Sequence, residues 1–166
     1  MNENSTTSQS LEASPKGRFG GVIGICCDHA GYELKNKIVE YLKSKNVSEI
    51  KDFGAFSTES SDYPDFAHPM ARAVSQGEIN MGISCCGTGN GINMTANRHA
   101  FVRSALCWTT EIARLARSHN DANVLSIPSR FISEETAFEI LDIFLTTDFE
   151  GGRHQRRIEK IEINHP

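Results

Sequence analysis

Met81-Gly-Ile-Ser-Cys-Cys86, followed by Gly87-Thr-Gly-Asn-Gly91 and then Ile92-Asn-Met-Thr-Ala-Asn97, is the stretch on which the rest of the chain turns. Met81 to Cys86 is a short apolar run of the kind a buried parallel strand shows. Three alternating glycines then interrupt it before a helix-compatible segment, so the stretch reads strand, glycine turn, helix. Such a turn permits positive φ and close backbone approach, and consecutive N–H groups followed by a helix start make an anion cradle. Cys86 at its mouth and Thr88 beside it add a potential thiolate base and a hydroxyl. Spacing disfavours two nucleotide motifs. A dinucleotide fingerprint needs a third glycine where Ile92 stands, and a P-loop needs a lysine that is absent. The glycines alone fit a plain strand-to-helix connection equally well.

The chain has 166 residues, enough for one domain with a full core. A formal net charge of -4 without a long basic run argues against a protein that lives on nucleic acid or anionic membrane, and points to a small-molecule partner. Arg153, Arg156 and Arg157 form a local basic cluster suited to a phosphate or carboxylate. The five cysteines include two adjacent pairs, Cys26-Cys27 and Cys85-Cys86, inside apolar runs. No secretory signal is recognisable, so free thiols in a reducing, cytoplasmic setting are expected. Cys-Cys lacks zinc-knuckle spacing, and no metal is expected there. No apolar stretch reaches membrane-spanning length.

Outward from the central strand, residues 1–18 are polar and poor in large apolar side chains, and read as a disordered tail before a single domain over 19–166. Val22 to Cys27 is a second buried strand that ends in Asp28-His29-Ala30-Gly31. Tyr32 to Lys45 carries Leu34, Ile38, Val39 and Leu42 at helical spacing, and a strand is expected within 47–53. A polar loop with Asp62 and Tyr63 leads to a helix over 65–76. Beyond the glycine turn come a strand over 102–108, a helix capped by Thr109 and ending at Ser118-His119-Asn120-Asp121, a strand over 124–127, and a helix started by Ser133. Five strands alternating with helices predict an α/β fold, a doubly wound parallel sheet in order 2-1-3-4-5. Residues 153–163 read as a terminal helix too polar for the core, of the kind that packs on another subunit.

In such a sheet the carboxyl ends of the first, third and fifth strands share one edge, where ligands bind. Asp28, His29, the turn from Cys86 to Gly91, and Arg130 then lie together, and the Asp62-Tyr63 loop can reach over them. Taken singly these residues have plain explanations as caps, buried thiols or solvated faces. Together they place polar groups repeatedly at strand ends.

Six stretches closely resemble the ribose-5-phosphate isomerase B family, which also includes galactose-6-phosphate isomerase. They are Cys27-Asp-His-Ala-Gly31, Ser61-Asp-Tyr-Pro-Asp65, Cys86-Gly-Thr-Gly-Asn-Gly91, Ala96-Asn-Arg98, His119-Asn-Asp-Ala-Asn-Val124 and Gly151-Gly-Arg-His-Gln-Arg-Arg157. The resemblance implies an aldose–ketose isomerase that interconverts ribose 5-phosphate and ribulose 5-phosphate without a cofactor, assembled as a homodimer or tetramer with shared active sites. It implies Cys86 as general base, Thr88 as a proton-shuttling hydroxyl and His119, aided by Asp28, as the ring-opening group. Asn120 and the amides of Gly87, Gly89, Asn90 and Gly91 would hold the enediolate. His29, Arg130, Arg153 and Arg157 would bind phosphate, and Tyr63 would line the site. One branch of the family uses a glutamate further round the turn in place of the cysteine. Here that position is Ile92, which assigns the chain to the cysteine branch. The open alternatives are a six-carbon substrate, galactose 6-phosphate or allose 6-phosphate, and a flavodoxin-like nucleotide-binding module.

Overall fold

Five strands, β1 (Val22–Cys27), β2 (Glu49–Asp52), β3 (Met81–Cys86), β4 (Ser104–Leu106) and β5 (Val124–Pro128), form one all-parallel sheet. The structure is a computed structural model that describes residues 21–163. The tail expected over 1–18 lies outside the described residues. Six helices accompany the strands: α1 (Tyr32–Ser44), α2 (Tyr63–Ser75), α3 (Asn90–Ala96), α4 (Thr110–Asn120), α5 (Glu134–Thr146) and α6 (Arg153–Ile158). A single 3-10 turn, His29–Gly31, bridges β1 and α1. The local signals act as expected. Thr109 Oγ1 accepts the Ile112 N–H, and Ser133 Oγ accepts the Thr136 N–H, so each caps the helix it precedes. α2 begins two residues earlier than its apolar pattern suggests because Pro64 suits a first turn.

The strand order is β2-β1-β3-β5-β4, which corrects the expected 2-1-3-4-5. Burial explains the exchange. All five residues of β5 are buried, whereas the three residues of β4 are each half-exposed. A strand flanked on both sides must offer apolar groups to two helical layers, and Val124-Leu125-Ser126-Ile127 does so where Ser104-Ala105-Leu106 cannot. The hydroxyls inside the sheet satisfy one another. Ser126 Oγ lies 2.8 Å from Ser84 Oγ on β3 and 3.0 Å from Ser104 Oγ on β4.

Strand residues alternate between two cores. Ile25, Cys27, Ile83, Cys85, Leu125 and Ile127 pack with α1, α4 and α5, while Cys26, Cys86 and Val124 pack with α2 and α3. The paired cysteines thus divide between the layers. α6 buries His154 and Ile158 within its own chain and lies on α4, while Ile161 and Ile163 beyond it are exposed. At the other end, Lys35 is fully buried, and its Nζ donates to both Asp52 oxygens at 2.8 and 2.7 Å and to the Ala55 carbonyl at 2.7 Å. That bonding compensates the charge it carries into the core.

β1 and β3 are joined at their carboxyl ends through Gly31. A Cβ there would stand 2.4 Å from the Cys85 carbonyl oxygen, which only glycine avoids. The substitution Gly31→Ala is therefore expected to cost about 1–3 kcal/mol of stability through overpacking against backbone. A urea midpoint unchanged from that of the parent chain would refute this close-packing account.

Candidate functional site

The carboxyl edge of the sheet gathers three strand ends. Asp28 N–H donates to the Cys85 carbonyl at 3.2 Å, and the Ser129 N–H and hydroxyl both reach the Cys86 carbonyl, at 2.9 and 3.0 Å. Ser129 Oγ also donates to the Ala30 carbonyl at 3.0 Å. The ends of β1, β3 and β5 are thus stitched into one platform. Asp28 Oδ1 accepts the Gly31 N–H at 3.0 Å, which fixes one carboxylate oxygen and caps the 3-10 turn.

Within the platform, Gly89 adopts φ +74° as the residue preceding α3, a left-handed conformation that lets the chain double back toward Cys86. Its N–H then donates to Cys86 Sγ at 3.2 Å. Asn90 N–H donates to Thr88 Oγ1 at 3.3 Å. Two turn amides are thus spent on holding the thiol and the hydroxyl. Those of Gly91 and Ile92 lie in the first turn of α3, where no intrahelical carbonyl is available.

Cys86 differs from the other thiols. All five cysteines are free. Burial raises the pKa of Cys26 and Cys85 well above the ordinary thiol value. It pushes Cys27 up to about 11, against the opposing charge of Lys35, and Cys107 up to about 12. Those four stay protonated and inert. Only Cys86 combines a place at the carboxyl edge with a backbone N–H donated to its sulfur.

The surrounding residues close over the turn. The Tyr63 ring lies against Gly91, where an added Cβ would be 2.5 Å from its Cζ. His29 Nδ1 is 3.2 Å from both the Ser61 amide nitrogen and its carbonyl oxygen, so the loop before α2 is tied above β1. Arg130 N–H donates to the Gly87 carbonyl at 3.1 Å, and its guanidinium lies over the same residue, 3.5 Å from where a Gly87 Cβ would stand. Asp28, His29, Tyr63, Cys86, Gly87, Thr88, Gly89, Asn90, Gly91 and Arg130 therefore share one edge.

The remaining four expected site residues do not join them within this chain. α4 returns from the carboxyl end of β4 to the amino end of β5. Asn120 accordingly sits beside Arg103, whose Nε donates to the Asn120 carbonyl at 3.0 Å, and Asn123 N–H donates to the Arg103 carbonyl. Arg103 immediately precedes β4, so His119 and Asn120 lie at the amino edge. The two edges are separated by a strand of five residues, about 13–17 Å at roughly 3.3 Å per residue. α6 packs there too and brings Arg153 and Arg157 with it.

At that end the His119 and His154 rings stack, with centroids 4.1 Å apart and planes 9° from parallel. Glu150 Oε2 is 3.8 Å from Nε2 of each. Burial, and after it the neighbouring His119 and Arg153, holds His154 below the ordinary imidazole range. Among the described residues no ion pair engages Arg153 or Arg157. His154 and Glu150 are the parts of this cluster that sequence reasoning missed. The available signal was the four-residue spacing of His154 and Ile158, which puts both on one buried helical face.

Known proteins resemble this chain in sequence and fold. The model of the Ribose/Galactose Isomerase family matches residues 23–161. Ribose-5-phosphate isomerase B of Escherichia coli K12 is 45% identical over 139 residues, which cover 84% of this chain and 93% of that protein. A crystal structure of a ribose 5-phosphate isomerase from Thermotoga maritima superposes with a TM-score of 0.83 at 49% identity, covering 86% of this chain and 97% of that one. Ribose-5-phosphate isomerase B from Mycoplasma genitalium, solved with bound ribulose-5-phosphate, gives 0.81 at 44% identity, covering 84% and 93%. With a family model spanning nearly all the described residues and relatives this similar, the chain belongs to the Ribose/Galactose Isomerase family.

Proposed function

We propose that this chain interconverts D-ribose 5-phosphate and D-ribulose 5-phosphate through a cis-enediolate. The observation that carries the reading is the Cys86 sulfur seated in the glycine turn with the Gly89 N–H donated to it. The Cys86 thiolate takes the proton from C2 of the open-chain aldose. The C–H electrons form the C1–C2 double bond, and the negative charge moves to the former carbonyl oxygen. Returning the proton to C1, while the C2 hydroxyl loses its own, gives the ketose.

Each neighbour has a role that its position supports. Thr88, its hydroxyl held by the Asn90 N–H, relays protons between the two oxygens. The amides of Gly87 and Gly91 face the enediolate, and preorganised donors of this kind are worth about 2.7–4 kcal/mol each. Those of Gly89 and Asn90 act indirectly by fixing the base and the relay. Tyr63 walls the site over Gly91, and the second oxygen of Asp28 remains for a sugar hydroxyl. His29 and Arg130 supply cationic donors to phosphate, whose remote binding energy holds the sugar against the base.

His119, Asn120, Arg153 and Arg157 complete the site from a second copy. Within one chain they stand at the wrong end of the sheet, so the geometry favours a homodimer in which the amino edge of one protomer meets the carboxyl edge of the other. His119 then opens the sugar ring, Asn120 steadies the enediolate, and the two arginines, free of carboxylate partners among the described residues, close on the phosphate. Among those residues no helix is long and apolar enough to cross a membrane, and five unpaired thiols suit a reducing cytoplasm. Family membership removes the case for a nucleotide-binding module.

Cys86→Ala is expected to lower kcat by on the order of 10²–10⁴-fold, the usual span for a general base, with little change in KM. Ketose formation from ribose 5-phosphate is the assay, and near-parent turnover in the variant would remove the base. The same assay on galactose 6-phosphate and allose 6-phosphate decides the sugar, and a higher kcat/KM on either hexose would overturn the pentose assignment. Mixing Cys86→Ala with His119→Ala chains after unfolding and refolding them together tests the shared site. Random pairing gives one intact site in half the dimers, hence about a quarter of parent activity from two inactive chains. No recovery would place His119 and Cys86 in the same protomer's site.

A further inference from the structure

The corner formed by His119, Glu150 and His154 has a second chemical capacity. One ligand atom from each residue lies within 4.8 Å of the others. The two 3.8 Å separations from Glu150 Oε2 to the imidazole Nε2 atoms exceed a hydrogen bond. They are only a few tenths of an ångström longer than the about 3.4 Å between neighbouring ligand atoms around tetrahedral zinc with bonds of about 2.0–2.1 Å. The three donors thus stand slightly wider than a zinc coordination shell, none of them more than 4.8 Å from another.

The rings stack nearly parallel, so their Nε2 lone pairs run side by side, and a shared ion requires half-exposed His119 to turn out of the stack toward Glu150 while His154 stays in place. Arg153 Nε approaches His154 Nε2 as a donor at 3.5 Å, which leaves that nitrogen presenting a lone pair. Glu150 is exposed and His119 half-exposed, so both can swing the short distance required, while buried His154 anchors the set. His119 lies in the last turn of α4, whose negative dipole end favours a cation. Arg153 and Arg157 oppose one, so an ion here exchanges with solution and is not a structural fixture. Two imidazoles and one carboxylate select zinc, cobalt or copper over magnesium or calcium, which prefer all-oxygen sites.

We infer that His119, Glu150 and His154 form a binding site for a divalent transition metal of the zinc class, and that occupancy inhibits the isomerase by withdrawing the His119 lone pair. The inhibitory half rests on the ring-opening role proposed for His119, whereas the binding half rests on geometry alone.

The test uses untagged, full-length protein stripped with a chelator. Zinc affinity is read by competition with a chromophoric chelator, and the absorption of bound cobalt reports the coordination. Glu150→Gln and His154→Gln should each weaken zinc binding by at least about tenfold, the lower end of what is lost when even an outer-shell partner of a metal site is removed. His68→Gln should bind as the parent does, although His68 Nδ1 lies 2.8 Å from His99 Nε2 in the other close histidine pair. Cys86→Ala should also bind as the parent does. Parent-like affinity in both Glu150→Gln and His154→Gln, or loss of binding in His68→Gln or Cys86→Ala alone, would overturn the site. Turnover of the parent should fall over the zinc range that fills the site, recover with EDTA, and become about tenfold less zinc-sensitive in Glu150→Gln, each chain being compared with its own metal-free rate. Zinc that binds without slowing turnover would overturn inhibition and leave the site standing. A chain inactive on ribose 5-phosphate even in EDTA would instead overturn the functional reading, and the inhibitory half with it.

Discussion

Because every strand of the sheet runs the same way, its two ends are chemically unlike, and no side chain can serve both. The carboxyl edge holds a glycine turn that fixes a thiol and a hydroxyl with its own amides. The amino edge holds the end of α4 and the start of α6, with two stacked imidazoles, a carboxylate and two arginines that form no ion pair among the described residues. The mechanism proposed above draws on both inventories. Roughly five residues of β-strand keep them apart in one chain, which is the ground for proposing that a second copy brings them into contact.

The same sheet sets one of the five thiols apart from the others. Alternation sends Cys27 and Cys85 into the layer shared by α1, α4 and α5, and Cys26 into the opposite one. Burial there favours the neutral thiol. Cys86 falls on the last position of β3, where the strand stops pairing and the backbone turns back to donate an amide to its sulfur. Cys86 is buried too, in the same layer as Cys26, and what distinguishes it is that donated amide. Gly31 and Ser129 hold that boundary in place by locking the ends of β1 and β5 to the Cys85 and Cys86 carbonyls.

Much of this is written locally and was legible as sequence. The bounds of β3, the caps at Thr109 and Ser133, and the alternation of strand and helix follow from apolar pattern and capping chemistry. What escaped was non-local. Strand order depends on which strand can bear two helical layers, and the short β4 reads as apolar until its half-exposed Ser104 is seen. The pairing of Lys35 with Asp52 joins a helix to a strand edge, and its lysine looks like any solvated charge at its position in α1. His154 is hidden for a similar reason, since a histidine flanked by Arg153, Gln155, Arg156 and Arg157 reads as part of an exposed face. His119 directly follows the buried Ser118 and stands shortly before β5, yet sequence adjacency to a strand does not disclose which end of the sheet it occupies. Only the path of α4 does.

That division of labour has a thermodynamic consequence. In the homodimer proposed above, a phosphate held by His29 and Arg130 of one protomer and by Arg153 and Arg157 of the other would touch two chains at once. It would then bind the assembled pair better than either separate chain and stabilise the pair by mass action. Arg103 and Arg117 cannot take this part, because both are already committed to Asp121, at 3.0 and 2.8 Å. Arg153 and Arg157 have no carboxylate partner among the described residues, in a chain whose formal net charge is -4. A substrate phosphate set between them would meet that charge, which is how the proposed shared site becomes electrostatically complete.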